Sequence, residues 1–293
     1  MTSFWNKLKT LLGGAEEPAP GAPARVEPAV APPLPRTPQT PPRPAWPATA
    51  PSPDAAEADA QARWDAAYAA RATWYQREFG RFPSDILKMR NLFGVWPGGG
   101  LHALPADQVA PGLWLYTTFG FSNPDMPARS ISTGVAEEHD AQGRAVRTSA
   151  TLQAKAPESV VVPPPGAAGY GYEFALVARD SVQWPLWVLQ WAANAELLHD
   201  AGLLGRVEKH DGLTVQDIEI DDGRRVNLLL AKARAPLPAG AALPNGRMDL
   251  LVATVITAEE MRWSMEHGRG ALLERLLASG VGQVSELGRA SVV

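Results

Sequence analysis

The spacing of apolar and polar residues predicts strands in the middle and the latter part of the chain. Residues 170–179 alternate with period two, which is typical of a strand with two distinct faces. Residues 113–119 combine aromatic and β-branched side chains, and residues 248–256 are almost entirely apolar, as in a central strand. Further strands are predicted at residues 130–135, 144–153, 217–220 and 224–231, the first two being separated by a charged turn.

Helical spacing of the large side chains predicts helices at residues 54–79, 183–202, 257–266 and 271–278. The first is rich in alanine, the best helix former, and carries aromatic residues near helical spacing. The second has Pro185 in its first turn, where the missing N–H costs nothing. The third opens with Thr257 and Glu260, which fit a capping box.

The order of these elements predicts the fold class. Strands are followed by a helix, further strands and then helices, without the regular alternation that builds a parallel sheet. We therefore expect an α+β fold with a mixed, mainly antiparallel sheet and packed helices. Residues 54–293, about 240 residues, are long enough to form one domain with a sizeable core.

The N-terminal region differs in composition from the rest of the chain. Many of the 28 prolines fall in residues 15–53, which have few large apolar residues, so this stretch predicts a disordered linker. Residues 1–14 predict a short amphipathic helix that docks on a partner or a membrane surface, or folds back on its own domain. Its apolar face is formed by Phe4, Trp5, Leu8 and Leu11.

Overall composition narrows the classes of function. The net charge of −4 gives no basic surface for a phosphate backbone, so we expect no nucleic-acid partner. The chain has no cysteine, which excludes disulfides, thiolate catalysis and cysteine-bound metals. It contains no run of 18 apolar residues and no apolar signal-peptide core, so we expect no transmembrane segment and a cytoplasmic location.

None of the candidate catalytic motifs has the residue spacing that its chemistry requires. The five histidines show no metal-binding spacing, and the glycines at 98–100 lack the flanking residues of a phosphate-binding loop. Ser122 lies in a G-x-S-x-x context, but a nucleophile elbow needs a second glycine where Pro124 stands. The residues therefore indicate no catalytic site, no metal and no cofactor.

Five segments together resemble the Suppressor of fused-like (SUFU-like) family in its bacterial form. In chain order they read WLYTTFGFS, GYGYEFALVAR, WPLWVLQWAANAEL, LLVATVITAEEMRW and VSELGRASV. The resemblance covers roughly residues 110–293 and implies a SUFU-like domain over residues 54–293. It also implies a non-catalytic protein-binding module, and bacterial relatives are linked to toxin systems as immunity proteins. The implied partner is therefore a toxin that the chain inhibits.

The resemblance also implies where a partner binds. Gly120 lets the backbone turn sharply after the strand at 113–119, which would present the following residues at a rim beside the 170–179 strand. The implied partner-binding residues are Phe119, Phe121, Ser122, Tyr172 and Glu173. Glu173 has a second interpretation, as a residue that faces water or forms a salt bridge to Arg179 or Arg289.

Two other functions remain open at this point. The chain could be an adaptor or scaffold that is recruited through its N-terminal helix and Pro-rich tether. It could also be a hydrolase whose site no motif reveals.

Overall fold

The computed structural model describes residues 53–81, 99–139, 145–156, 159–179, 181–220 and 223–293. The predicted N-terminal helix and nearly all of the predicted linker lie outside these ranges. Residues 56–293 form one compact unit, and residues 1–55 are grouped separately. In the described part of the chain, no helix has the length and apolar character needed to cross a membrane.

Five helices are described. They are α1 (Pro53–Glu78), α2 (Trp184–His199), α3 (Leu203–His210), α4 (Ala258–His267) and α5 (Arg269–Ala278). The described strands are β1 (Gly100–Pro105), β2 (Leu113–Phe119), β3 (Arg129–His139), β4 (Ala145–Ala156), β5 (Ala167–Arg179), β6 (Leu213–Glu219), β7 (Arg225–Lys232), β8 (Gly240–Leu243), β9 (Gly246–Ile256) and β10 (Val284–Ser285).

Eight of the described strands form one mainly antiparallel sheet with the order β1-β2-β5-β9-β7-β6. The short strand β8 pairs with the beginning of β9, and β10 pairs with β5. The pairs β5–β9 and β10–β5 are parallel, and the other pairs in this sheet are antiparallel. Strands β3 and β4 form a separate antiparallel ribbon. This arrangement confirms the predicted α+β fold with a mixed sheet.

Both faces of the sheet are buried, because successive side chains of a strand point to opposite sides. In β2, Tyr116 packs into the core that includes α2 and α3, whereas Leu115 packs into the core that includes α1. In β9, Leu251 packs into the core with α2 and α3, and Leu250 packs into the core with α1. A third cluster joins α4 and α5 to β7 and the end of β9. Two-sided burial explains why β9 is almost wholly apolar.

The structure corrects several predicted boundaries. Residues 137–139 of the predicted charged turn belong to the end of β3. Gly100, the last residue of the glycine run, begins strand β1, which the sequence pattern does not predict. The predicted helix at 183–202 ends at His199, where Asp200 adopts a left-handed conformation with φ of 47°, and a second helix, α3, follows.

Candidate functional site

The corner after β2 is organised around one buried carboxylate. Gly120 has φ of 134°, a conformation that favours glycine, and it turns the chain so that three consecutive backbone N–H groups converge on Glu173. The N–H groups of Gly120 and Ser122 donate to Glu173 Oε1 at 2.9 and 3.0 Å, and that of Phe121 donates to Oε2 at 3.2 Å. The Thr118 hydroxyl donates to Oε2 at 2.8 Å. The corner therefore binds an anion, the carboxylate of a side chain on β5.

Helix α1 supplies the positive charge for this carboxylate. Arg71 Nη1 lies 3.3 Å from Glu173 Oε1 and donates to Ser122 Oγ at 2.7 Å, and Nη2 donates to Asn123 Oδ1 at 2.7 Å. Ser122 Oγ in turn donates to Glu173 Oε1 at 2.6 Å. The Arg71 guanidinium carbon lies 3.9 Å from the centroid of the Phe119 ring, a cation–π contact that Phe119 offers in addition to packing.

Burial affects both charges of this pair. The Arg71 and Glu173 side chains have no solvent-exposed surface. Burial lowers the pKa of Arg71 from its ordinary value, and the nearby Glu173 carboxylate opposes that shift. A buried ion pair is retained only when further hydrogen bonds satisfy its remaining polar atoms, and the corner supplies these bonds to Glu173.

The predicted site residues are brought together, but they are not exposed. Phe119, Phe121, Ser122, Tyr172 and Glu173 are each at most 1% exposed. The expectation that Phe121 and Ser122 are presented at a rim is therefore wrong. The pairing of β2 with β5, on which their proximity depends, is confirmed. A role of the five residues in partner binding remains a prediction.

The alternative that Glu173 faces water or pairs with Arg179 or Arg289 is also wrong, because its side chain is buried and pairs with Arg71. Arg179 forms an exposed pair with Glu286, with Nε and Oε2 3.7 Å apart. Arg289 binds Glu260 through both terminal nitrogens at 2.6 Å. Glu173 cannot reach either arginine because it points toward α1.

Strand alternation sends Tyr172 to the opposite face of the sheet from Glu173. The Tyr172 hydroxyl donates to Glu196 Oε2 at 2.7 Å, a second buried carboxylate, which lies on α2. Glu196 also accepts the backbone N–H groups of Gly202 and Leu203 at 2.9 Å and so caps the start of α3. Burial raises the pKa of Glu196, and these three donors oppose the shift.

A third buried carboxylate joins the last two sequence motifs. Glu260 completes the predicted capping box of α4 by accepting the Thr257 N–H at 2.9 Å, while Thr257 Oγ1 accepts the Glu260 N–H at 3.2 Å. Glu260 also binds Arg289 and accepts the Val292 N–H at 3.0 Å. Burial disfavours its charge, but these donors outweigh burial and hold the pKa of Glu260 below its ordinary value.

The corner also fixes the β8–β9 hairpin. Asn245, in the hairpin turn, donates its amide N–H to the Ser122 carbonyl at 2.9 Å. Ser122 Oγ lies 3.4 Å from Met248 Sδ on β9. Gly169 passes so close to the corner that an added Cβ would lie 2.3 Å from the Phe121 carbonyl oxygen. The hairpin is consequently positioned by the same residues that surround Glu173.

The other side of this hairpin borders an open cleft of about 830 Å³. Lys232 Nζ, at the end of β7, lies 2.6 Å from Glu208 Oε1 and 2.7 Å from Asp249 Oδ2. Arg247 Nη2 lies 2.9 Å from the same Asp249 oxygen. Partial burial alone would lower the pKa of Lys232, but its hydrogen bonds to the two carboxylates raise it. Much of the remaining lining is small and apolar: Ala231, Ala233, Ala239, Gly240, Ala241 and Ala242.

Sequence reasoning missed Arg71, Asn245 and the cleft residues. A signal for Arg71 does exist, because it lies three residues after Tyr68 and four before Tyr75, on the helix face that also carries aromatic residues. A cation among core-facing aromatics indicates a buried partner. No comparable signal marks Asn245, since a turn asparagine is ordinary.

A comparison with protein families matches the model described as Suppressor of fused protein (SUFU) over residues 83–290. The match begins after α1, so Arg71 lies outside it. No curated protein sequence matches the chain.

Three solved structures are similar to this chain at low sequence identity. The crystal structure of the Sufu–Fu complex has 15% identity and a TM-score of 0.46, covering 78% of this chain and 92% of that chain. Drosophila Suppressor of Fused has 15% identity and a TM-score of 0.40, covering 69% and 46%. A SUFU homolog from Neisseria gonorrhoeae FA 1090 has 12% identity and a TM-score of 0.46, covering 80% and 98%.

Proposed function

Because the chain belongs to the Suppressor of fused protein family, we propose that it binds a protein partner, without catalysis, and that this partner is a toxin that it inhibits. The family consists of protein-interaction modules. The immunity role follows the resemblance to bacterial relatives noted from the five sequence motifs. A surface that is rigid before the partner arrives favours tight inhibition, because ordering a surface on binding costs free energy.

The observation that supports this proposal best is the pre-paired charge at the cleft. Lys232 is held between Glu208 and Asp249 before any partner binds. Asp249 is only 13% exposed, whereas Arg247 is 68% exposed at the rim. A cleft with small apolar residues and fixed charges can accept a large side chain while selecting for complementary charge.

The five buried residues have a defined part in this proposal. Glu173 and Ser122 hold the corner, and the corner holds Asn245 and Met248 of the β8–β9 hairpin. Met248 and its neighbour Asp249 line the cleft. We therefore propose that Ser122 and Glu173, with Phe119 and Phe121 beside them in the corner, shape the partner surface from beneath instead of contacting the partner. Tyr172 would act from the other face of the sheet, where it binds Glu196, which caps the start of α3, the helix that carries Glu208 of the cleft.

Co-expression with a toxin encoded beside this chain's gene tests the proposal. The full chain should abolish the toxicity, and the toxin should co-purify with it. Arg247→Glu reverses a rim charge without removing Lys232 from its two carboxylates, and we expect it to weaken binding about tenfold or more. Arg225→Glu is the matched control, because Arg225 is similarly exposed but does not line the cleft.

Two outcomes would contradict different parts of the proposal, the contact surface and the inhibitor role. Equal protection by both variants would show that the cleft is not the contact surface. Absence of protection by the unaltered chain would contradict the toxin-inhibitor role.

An adaptor role is the second proposal, and the Pro-rich composition of residues 15–53 favours it. In this case the N-terminal segment with Phe4, Trp5, Leu8 and Leu11 would recruit the partner. Deletion of residues 1–52 should then abolish co-purification of the partner, whereas Arg247→Glu should leave it unchanged. The inhibitor proposal predicts the reverse for both variants.

A further inference from the structure

The first turns of α1 are exposed on every side. Residues 56–63 are all exposed, whereas the following turns reach the core with Ala67 and Arg71, both fully buried. Alanine-rich sequence favours a helix, so these turns can continue the anchored part of α1 without packing contacts of their own. The exposed turns therefore form an unpartnered helix surface.

One side of these turns borders a groove of about 790 Å³ that is separate from the Lys232 cleft. Glu57, Ala60, Gln61 and Trp64 face this groove at spacings of three, four and seven residues, which defines one side of a helix, and Arg63 lines the same groove. The opposite wall is formed mainly by Pro124, Met126, Pro127, Pro163 and Pro164. We call these exposed turns and the groove together the α1 groove.

A twofold rotation that relates two copies of the chain would place opposite charges of the α1 groove against each other. Glu57 and Arg63 lie three residues before and three residues after Ala60. If a second α1 crosses in the antiparallel direction with a twofold axis at Ala60, Glu57 of each copy lies opposite Arg63 of the other. A self-complementary patch of this kind is what a symmetric dimer requires.

We propose that the α1 groove is a homodimer interface and that its occupant is a second copy of this chain. The alanines at positions 56 and 60 allow two helix backbones to approach closely, since neither has a side chain beyond Cβ. The same axis sets Ala56 opposite Trp64 of the second copy, which pairs a small residue with a large one. Contact over these turns covers the side of the helix that carries Ala56 and Ala60.

The interface is small, because eight residues of helix span only about 12 Å. The dimer should consequently be reversible and dependent on protein concentration. Each Glu57–Arg63 pair occurs twice in a symmetric dimer, so a single substitution alters two contacts at once. This doubling makes charge substitutions a sensitive probe.

Sedimentation velocity of the full chain over a concentration series tests the proposal without any partner. The unaltered chain should convert from monomer to dimer as its concentration rises. Glu57→Arg and Arg63→Glu should each raise the dimer dissociation constant about tenfold or more, because each replaces two attractions with two repulsions. The double variant E57R/R63E exchanges the charges and should restore the dimer.

Asp65→Arg provides the matched control. It makes the same change of charge on the same helix outside the groove lining. It removes only the exposed hydrogen bond from Gln61 to Asp65, so dimerisation should be unchanged. Circular dichroism checks that every variant is folded. A chain that stays monomeric at all concentrations would overturn the proposal, even if the groove binds a proline-rich peptide instead. A dimer that ignores both single substitutions would also overturn it, because its interface would lie elsewhere.

Discussion

Glu173 is the residue on which the corner depends, because its carboxylate accepts bonds from three backbone N–H groups, two hydroxyls and a guanidinium. Its partners come from β2, from the loop that follows, and from α1. A neutral amide of the same shape could not satisfy them, since half of its polar capacity is donor and every partner is a donor.

Glu173→Gln should therefore lower the free energy of unfolding by about 3–5 kcal/mol, because it leaves the Arg71 charge buried without a counter-charge. Urea denaturation at neutral pH measures this loss. Glu286→Gln is the control, as its pair with Arg179 is exposed, and exposed pairs contribute about 0–1 kcal/mol. A loss from Glu173→Gln no larger than the control would show that the buried pair does not stabilise the corner.

The sequence singles out Glu173 but not its partner. An acidic residue within an apolar, alternating strand is unusual, so the pattern alone identifies Glu173 as a residue to explain. Its counter-charge, Arg71, lies 102 residues earlier, and local periodicity cannot establish which helix covers which face of the sheet. The same limit explains why Arg179 and Arg289 were reasonable but wrong expectations.

Among the elements, those with long periodic signals could be predicted and the short ones could not. Strand β2 has the predicted bounds, and the capping box of α4 is confirmed in full. Strand β8 has only four residues and α3 only eight, which is too short for either spacing to be recognised. These elements exist because of tertiary contacts: β8 pairs with β9, and Glu196 caps α3.

The N-terminus of α4 should make stability depend on pH. The folded pKa of Glu260 lies below its ordinary value of 4.5, so its stabilising contribution is fully present above that pH and is lost as the pH falls through the folded pKa. Glu260→Gln should reduce stability at neutral pH and also flatten its decline below about pH 4.5. Urea unfolding of the variant and the unaltered chain between neutral and acidic pH checks both effects.

Glu196→Gln should change the pH dependence of stability in the opposite direction. Burial raises the pKa of Glu196, so its contribution favours the folded state at low pH and is lost as the pH rises through the folded pKa. Removing this group should make the acid-side decline steeper. If both variants flatten the decline, the assignment of opposite shifts to the two carboxylates is wrong.

At the scale of the whole molecule, the C-terminal segment joins the central strands β5 and β9 where their direct pairing ends. Strands β5 and β9 pair from Tyr172 with Asp249 to Ala175 with Val252, and β5 then pairs with β10 at residues 177–178. Ser285 Oγ on β10 accepts the Val255 N–H of β9 at 3.0 Å. Arg289, four residues further on, reaches the buried Glu260. The last ten residues therefore connect the two central strands and α4.

Ending the chain at Gln283 should loosen the ends of β5 and β9, whereas ending it at Val292 should not, because the longer variant keeps β10, Arg289 and the Val292 N–H that Glu260 accepts. Loss of the Arg289–Glu260 pair alone should lower the free energy of unfolding by about 3–5 kcal/mol. Hydrogen exchange followed by mass spectrometry should show faster amide exchange at the ends of β5 and β9, with little change in β6. Unchanged exchange at Val255 in the shorter variant would mean that β10 merely rests against a sheet that closes without it. Faster exchange confined to β5 and β9 would establish the C-terminal segment as a structural part of the central sheet.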